Sequence, residues 1–249
     1  MVVDPKQRRA ARHAQGDGAD GAPSLRKAPI TVERVTDAAL EIVMTQGYDA
    51  LTMRSVAAVL GTGPASLYAH VVNKADIDEL IIGRLCSEVV LPEPNAALWR
   101  EQIIDVCTQL RDQYLKYPGI SRAALAMEVT DLDVLRINEA MLAILIGGGI
   151  LPKTAAWTID ALFLYIGAYA MEAAIVAPAH GLDSDDWRIS PEDRDELVTR
   201  FSALPADQFP QITRYAADLT SGVRHERFDF TLSLIVGNLP EGSRPARSD

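Results

Sequence analysis

The side chains with most to offer chemically lie between Thr52 and Lys74, in TMRSVAAVLGTGPASLYAHVVNK. Ser66, Tyr68 and His70 can each hydrogen-bond a phosphate oxygen or a base edge, and Pro64 and Ala65 can pack against a thymine methyl. Arg54 and Lys74 bracket the segment as cations for phosphate, and no acidic residue interrupts it. Such a set suits a groove of double-stranded DNA. It also suits an ordinary helical corner, and pattern alone leaves the two readings level.

Two short helices must position these groups. Thr52 is an N-cap, and Met53, Val56, Ala57 and Leu60 fall on one stripe at i, i+3, i+4 and i+7. Gly61-Thr62-Gly63 turns the chain, and Pro64 suits the first position of the second helix, where its missing N–H costs nothing. Leu67 and Val71 lie four apart and face inward, which leaves Ala65, Ser66, Tyr68 and His70 outward. A supporting helix precedes them, with Thr31 as its cap, Val35, Ala38, Ala39, Ile42 and Val43 on its core face, and Gly47 as its stop. Asn73-Lys74-Ala75-Asp76 reads as a capping box that opens a connecting helix with Ile77, Leu80, Ile81 and Leu85 inward.

The run GYDALTMRSVAAVLGTGPASLYAHVVNKADIDEL resembles the N-terminal domain of the TetR family of transcriptional regulators, without a gap through LT.R..A..LG....SLY.HV.NK. The resemblance implies that Thr52 and Arg54 contact DNA from one helix, Pro64, Ala65, Ser66, Tyr68 and His70 from the recognition helix, and Lys74 a phosphate at the start of the connecting helix. Pro64 and Ala65 depart from the tetracycline repressor, which carries a polar side chain first, so its operator sequence does not transfer. The family also implies an all-α fold, with a three-helix helix-turn-helix domain followed by a helical ligand-binding and dimerisation domain. Its division of labour gives a basic tail at 1–29, a DNA-binding domain at 30–75, a connecting helix at 76–92, the second domain at 93–240 and a tail at 241–249.

The rest of the chain agrees with that division. The tail carries six basic and three acidic residues, for +3, lacks apolar periodicity and has no secretory h-region; it is expected to be disordered. Residues 30–74 sum to −1 and residues 75–249 to −12, so the acidic half is expected to avoid DNA. Past Pro92-Glu93-Pro94 there are only helices: Trp99 to Tyr114, a short one at 120–127, one through Leu132, Leu135, Met141, Leu142 and Leu145, an apolar one at 153–177, and a last one near 223–239. Gly147-Gly148-Gly149 is a terminator, since no strand precedes it. The uncharged run from Ala161 to Met171 has 11 residues, short of the roughly 18 a spanning helix needs, so no membrane is expected. By resemblance the apolar helix and the last helix, with Phe228, Leu232, Ile235, Val236 and Leu239, pair with a second copy in a four-helix bundle. The acidic stretch from Asp183 to Glu196 is expected to be a solvated loop or frayed helix, with metal binding the lesser alternative, since its spacing fits no calcium loop.

Val106, Leu110, Met127, Met141, Phe163, Tyr165, Tyr169 and Glu172 are placed along the helices to line a cavity, with Glu172 its polar anchor or else a hydrogen bond at the dimer interface. The resemblance implies a sensor that, in its tetracycline-binding form, holds a magnesium chelate with histidine; this chain has no histidine between His70 and His180, so no metal or other cofactor is expected, and the effector is expected to be largely hydrophobic. Cys86 and Cys107 are too few for a disulfide scaffold and point to the cytoplasm. The expected function is a homodimeric repressor released from a palindromic operator by a small molecule. The alternative is an all-helical enzyme or protein-binding module, and neither a Ser-His-Asp, a Cys-His nor a metal-spaced cluster supports an enzyme.

Overall fold

The computed structural model describes residues 29–126, 131–180, 191–222 and 225–240. The first tail up to residue 28, the whole of the tail at 241–249, Met127, and 183–190 of the acidic stretch lie outside the described residues, while 191–196 of that stretch are helical.

The first helix, α1 (Val32–Gln46), starts where the sequence puts its cap: the Thr31 hydroxyl accepts from the Arg34 N–H at 3.2 Å. Gly47, at φ 81°, ends it in a conformation that suits glycine. In α2 (Met53–Val59) the cap is reciprocal, the Thr52 side chain accepting from Ser55 N at 3.0 Å while Ser55 Oγ accepts from Thr52 N at 2.9 Å. Gly61, at φ 63°, then reverses the chain.

The recognition segment Pro64–Ala69 is not a full α-helix but a six-residue 3-10 helix. So short a helix consists only of ends, and the tighter i→i+3 bonds, such as Ser66 N to Gly63 O at 3.0 Å and His70 N to Leu67 O at 2.8 Å, satisfy groups that an α-helix would leave unpaired. Leu67 and Val71, 0% and 1% exposed, pin it to the core.

The connecting helix α3 (Lys74–Ser87) is capped by Asn73, whose side chain accepts from Asp76 N at 3.1 Å. Asp76 does not close the expected reciprocal box. It reaches one residue further back, to Val72 N at 2.8 Å.

The second layer comprises α4 (Trp99–Leu115), α5 (Ser121–Ala126), α6 (Leu132–Gly147), α7 (Pro152–His180) and α11 (Glu226–Gly237), with α4 packed on α6, α7 and α11. Between α7 and α11, the helices α8 (Pro191–Ser202), α9 (Pro210–Arg214) and α10 (Ala216–Leu219) pack chiefly on one another. The core stripe of α6 is rotated from the sequence reading. Ile137, Met141, Ile144 and Leu145 are buried, whereas Leu132 and Leu135 face out.

Helix α7 is longer than expected, and Pro152–Ala177 is long and apolar enough to cross a membrane by length and composition. The expectation counted only the stretch between Asp160 and Glu172, but two carboxylates do not end an apolar helix. One side of α7 packs into the bundle through Ala155, Ile159, Leu162, Ile166 and Tyr169. On α11 the buried side chains are Phe228, Leu232 and Val236, which are used within the protomer, while Phe230 and Leu234 point outward.

Phe228 stacks on Tyr165 with ring centroids 5.5 Å apart, meets Tyr169 at 4.9 Å, and lies under the Arg111 guanidinium at 4.8 Å. Phe228→Ala should lower stability in urea unfolding by about 3–5 kcal/mol.

Candidate nucleic-acid interface and effector cavity

Around the recognition segment, Arg54, Pro64, Ala65, Ser66 and Tyr68 are exposed, Thr52 is exposed at the tip of α2, and His70 is half-buried. Ser66 Oγ accepts from Thr62 Oγ1 at 2.9 Å, which orients its hydroxyl across the turn. The structure therefore gathers Thr52, Arg54 and the 64–70 set in one corner with Leu67 behind it.

Lys74 stands differently. Its ammonium donates to Tyr48 Oη at 2.6 Å and to both Asp78 carboxylate oxygens at 2.9 and 3.1 Å, and lies 3.8 Å from the centre of the Tyr48 ring. Asp78 shares its charge, so a phosphate would compete with a carboxylate for it. Lys74 and Asp78 are four residues apart on one helix, a spacing that made the pair readable in advance. Burial, opposed by the Lys74 hydrogen bond, pushes the Tyr48 phenol above its ordinary pKa.

The same tyrosine joins the head to the second layer. Its backbone N–H donates to Pro118 O at 3.0 Å, Asp49 pairs with Arg122 of α5, and the Arg122 guanidinium lies 5.8 Å from the Tyr48 ring centre. At the other end of α3, Arg136 of α6 donates to the carbonyls of Cys86 at 2.9 Å, Ser87 at 3.4 Å and Val89 at 3.2 Å. A guanidinium there satisfies C-terminal carbonyls and complements the negative end of the helix.

Between these attachments lies a cavity of about 210 Å³. Ile82 and Cys86 of α3 form one wall, Leu110 and Tyr114 of α4 another, and Ala124 and Leu125 of α5 a third. Val134 and Ile137 of α6, with Asp160, Phe163, Leu164 and Gly167 of α7, complete it.

Leu110 and Phe163 thus lie where the sequence reading put them. Val106 and Met141 are buried in the core and do not reach the lining. Tyr165, Tyr169 and Glu172 lie on the α11 side of α7: Tyr165 Oη donates to Arg227 O at 3.3 Å, Tyr169 Oη meets His225 Nδ1 at 2.9 Å, and Glu172 forms an ion pair with Arg227. Glu172 is therefore held within the protomer, away from the cavity. Position along a helix does not reveal which face meets which neighbour. Tyr114 and Asp160 were missed for that reason; Asp160, a charge on an apolar helix, was the available signal.

Burial pushes the Cys86 thiol up to about 12, with the nearby Asp131 carboxylate adding to it, and burial alone does the same to Cys107. Burial also raises the Tyr114 phenol. No group of three or more His, Cys, Asp or Glu side chains is placed to hold a metal ion among the described residues.

A DNA-reading corner joined through one helix to a helical layer with an internal cavity defines a class: regulators that carry the DNA-binding head and the sensor in one chain. Residues 35–79 match the description "Bacterial regulatory proteins, tetR family", and residues 91–239 match "Tetracyclin repressor-like, C-terminal domain". The chain belongs to the tetR family of bacterial transcriptional regulators. ActR of Streptomyces coelicolor, crystallised with actinorhodin, is 31% identical with a TM-score of 0.76, the match covering 88% of this chain and 99% of ActR. The transcriptional repressor DrrR1 of Streptomyces coeruleorubidus is 25% identical over 222 residues, 86% of this chain and 78% of DrrR1. An HTH-type transcriptional regulator of Saccharopolyspora erythraea is 29% identical over 146 residues, and that match spans 56% of this chain and 62% of the relative.

With pKa values raised above the ordinary thiol value of 9.0, both cysteines stay protonated in the folded protein at neutral pH. Their protonated burial favours the fold fully below about pH 9, and that contribution is lost as the pH rises toward 12. At pH 8 a colorimetric disulfide reagent should react with neither thiol in the native protein and with both in urea.

Proposed function

We propose that the protein is a homodimeric transcriptional repressor that a small, largely apolar molecule releases from a palindromic operator. The observation that carries this reading is the placement of α3: its first turn abuts the recognition corner, and its last turns wall the cavity. A molecule entering between α3, α4 and α7 presses on Ile82 and Cys86, and α3 carries the displacement to the heads, whose spacing must match two successive major grooves. ActR, crystallised with actinorhodin and with (S)-DNPA, supports a small-molecule input for this chain too. We assign residues 30–75 to DNA binding, with Thr52, Arg54, Pro64, Ala65, Ser66, Tyr68 and His70 on the contact face, and 93–240 to sensing and dimerisation. The setting is the cytoplasm, where the DNA is.

The dimer reading rests on an uncovered stripe. Along α7, Trp157, Ala161, Ala168 and Ile175 recur at helical spacing and are exposed, and Phe230 and Leu234 of the adjoining α11 are exposed as well. A stripe of this kind fits a second copy of itself.

Fragments of the source genome selected by the purified protein, then tested by mobility shift with and without apolar compounds, check the whole reading. A short palindrome released by one compound is the expected result, and no enrichment over random DNA at low salt contradicts it. Tyr68→Ala or His70→Ala should weaken operator binding at least about tenfold with the dimer intact, and Arg54→Ala should lower the slope of log affinity against log salt by about 1. Ala168→Glu combined with Leu234→Glu should give monomers in sedimentation and abolish operator retention; a dimer persisting in that variant would refute the assigned interface.

A further inference from the structure

The cavity has an uneven polar inventory. Its deep side carries two weakly polar groups, the Cys86 thiol and the Tyr114 hydroxyl, and burial keeps both protonated. Its open side, where Leu125 and Leu164 are 47% and 54% exposed, carries Asp160. Among the described residues that carboxylate is the only charged side chain in the lining, and no lysine, arginine or histidine accompanies it there. Among the described residues neither Asp160 nor the Tyr114 hydroxyl makes an ion pair or side-chain hydrogen bond. Lys153, the nearest cation along α7, lies with its ammonium 4.4 Å from the centre of the Trp157 ring instead.

We infer that the cavity selects an apolar, ring-bearing molecule with an ammonium group, the ring between Leu110, Ile137 and Phe163 and the cation against Asp160, and that it rejects carboxylates of the same shape. The inference rests on the effector reading of the cavity and narrows it. An anionic ligand would bring its charge beside Asp160 with no cation to offset the repulsion or the loss of water. An ammonium supplies the missing partner, and a hydrogen bond to an ionised group is stronger than one between neutral groups. Residues 75–249, at −12, add a field of the same sense that draws cations toward the domain and repels anions. The Tyr114 hydroxyl, able to donate and accept, gives an oxygen on the ring an anchor at the deep end.

The test uses three probes of one shape, 2-(1-naphthyl)ethylamine, 2-(1-naphthyl)ethanol and 1-naphthaleneacetic acid, titrated into the full-length protein at neutral pH and low salt by calorimetry. Wild type should bind the amine at least about tenfold more tightly than the acid, with the alcohol between them. Asp160→Asn, a change at an exposed position, should bring the amine down to the alcohol and leave the alcohol unchanged. An acid that binds as well as the amine, or a preference that survives Asp160→Asn, overturns the inference. The alcohol separates the two readings: if it binds while charge makes no difference, the cavity remains a ligand site and only the charge selection falls, whereas if none of the three binds, both fall.

Discussion

The structure depends on how α3 is held. Its N-terminal turn is tied to the head by the Tyr48, Lys74 and Asp78 contacts, and its C-terminal carbonyls are held by one guanidinium, Arg136, that reaches across from α6. A helix fixed at both ends and facing a cavity along one side is a lever. The contacts at its two ends are hydrogen bonds and ion pairs at partly exposed sites, each worth on the order of 1 kcal/mol, while Ile77, Ile81, Ile82 and Leu85 bury its middle in the core. End contacts of that size can be exchanged by a ligand whose own binding is worth a few kcal/mol.

A second route runs beside the first. Helix α5 has only six residues, yet Arg122 on it pairs with Asp49 of the head while Ala124 and Leu125 touch the cavity. Across from it, a methyl group at Gly167 would meet Leu125 at 3.1 Å, so α5 already sits close against α7. Displacement of Leu125 by a ligand therefore bears on the joint at Tyr48 and Pro118 as well as on α3. Both routes end on the same tyrosine, whose ring has Lys74 and Arg122 for neighbours.

Much of this was legible in the sequence because helix starts and stops are local chemistry. Thr31, Thr52 and Asn73 cap the helices that their hydroxyl and amide oxygens suggest, and Gly47 and Gly61 end two of them at positive φ. The helix-turn-helix corner was visible as a whole because its residues are contiguous. The cavity was not, because it is made by five helices whose rotations about their own axes depend on one another. Periodicity says that α7 and α11 each have a wide apolar face, but not which part of that face meets α4 and which is left outside. Hence Phe228 and Leu232 turned out to be inside and Phe230 and Leu234 outside, and Tyr169 was found with His225 and not with Leu110. The Glu172 and Arg227 pair shows the same limit, since its partners are fifty-five residues apart.

The central claim is that filling the cavity changes the head, and a protein with its cavity filled by its own side chain tests this without any ligand. Operator affinity should be measured by fluorescence anisotropy for wild type and for Ala124→Phe, with sedimentation and thermal melting to establish that the variant is a folded dimer. The account predicts an operator affinity at least about tenfold lower in the variant, the size of an ordinary coupling between two sites. A folded, dimeric Ala124→Phe protein that binds the operator as tightly as wild type would contradict it.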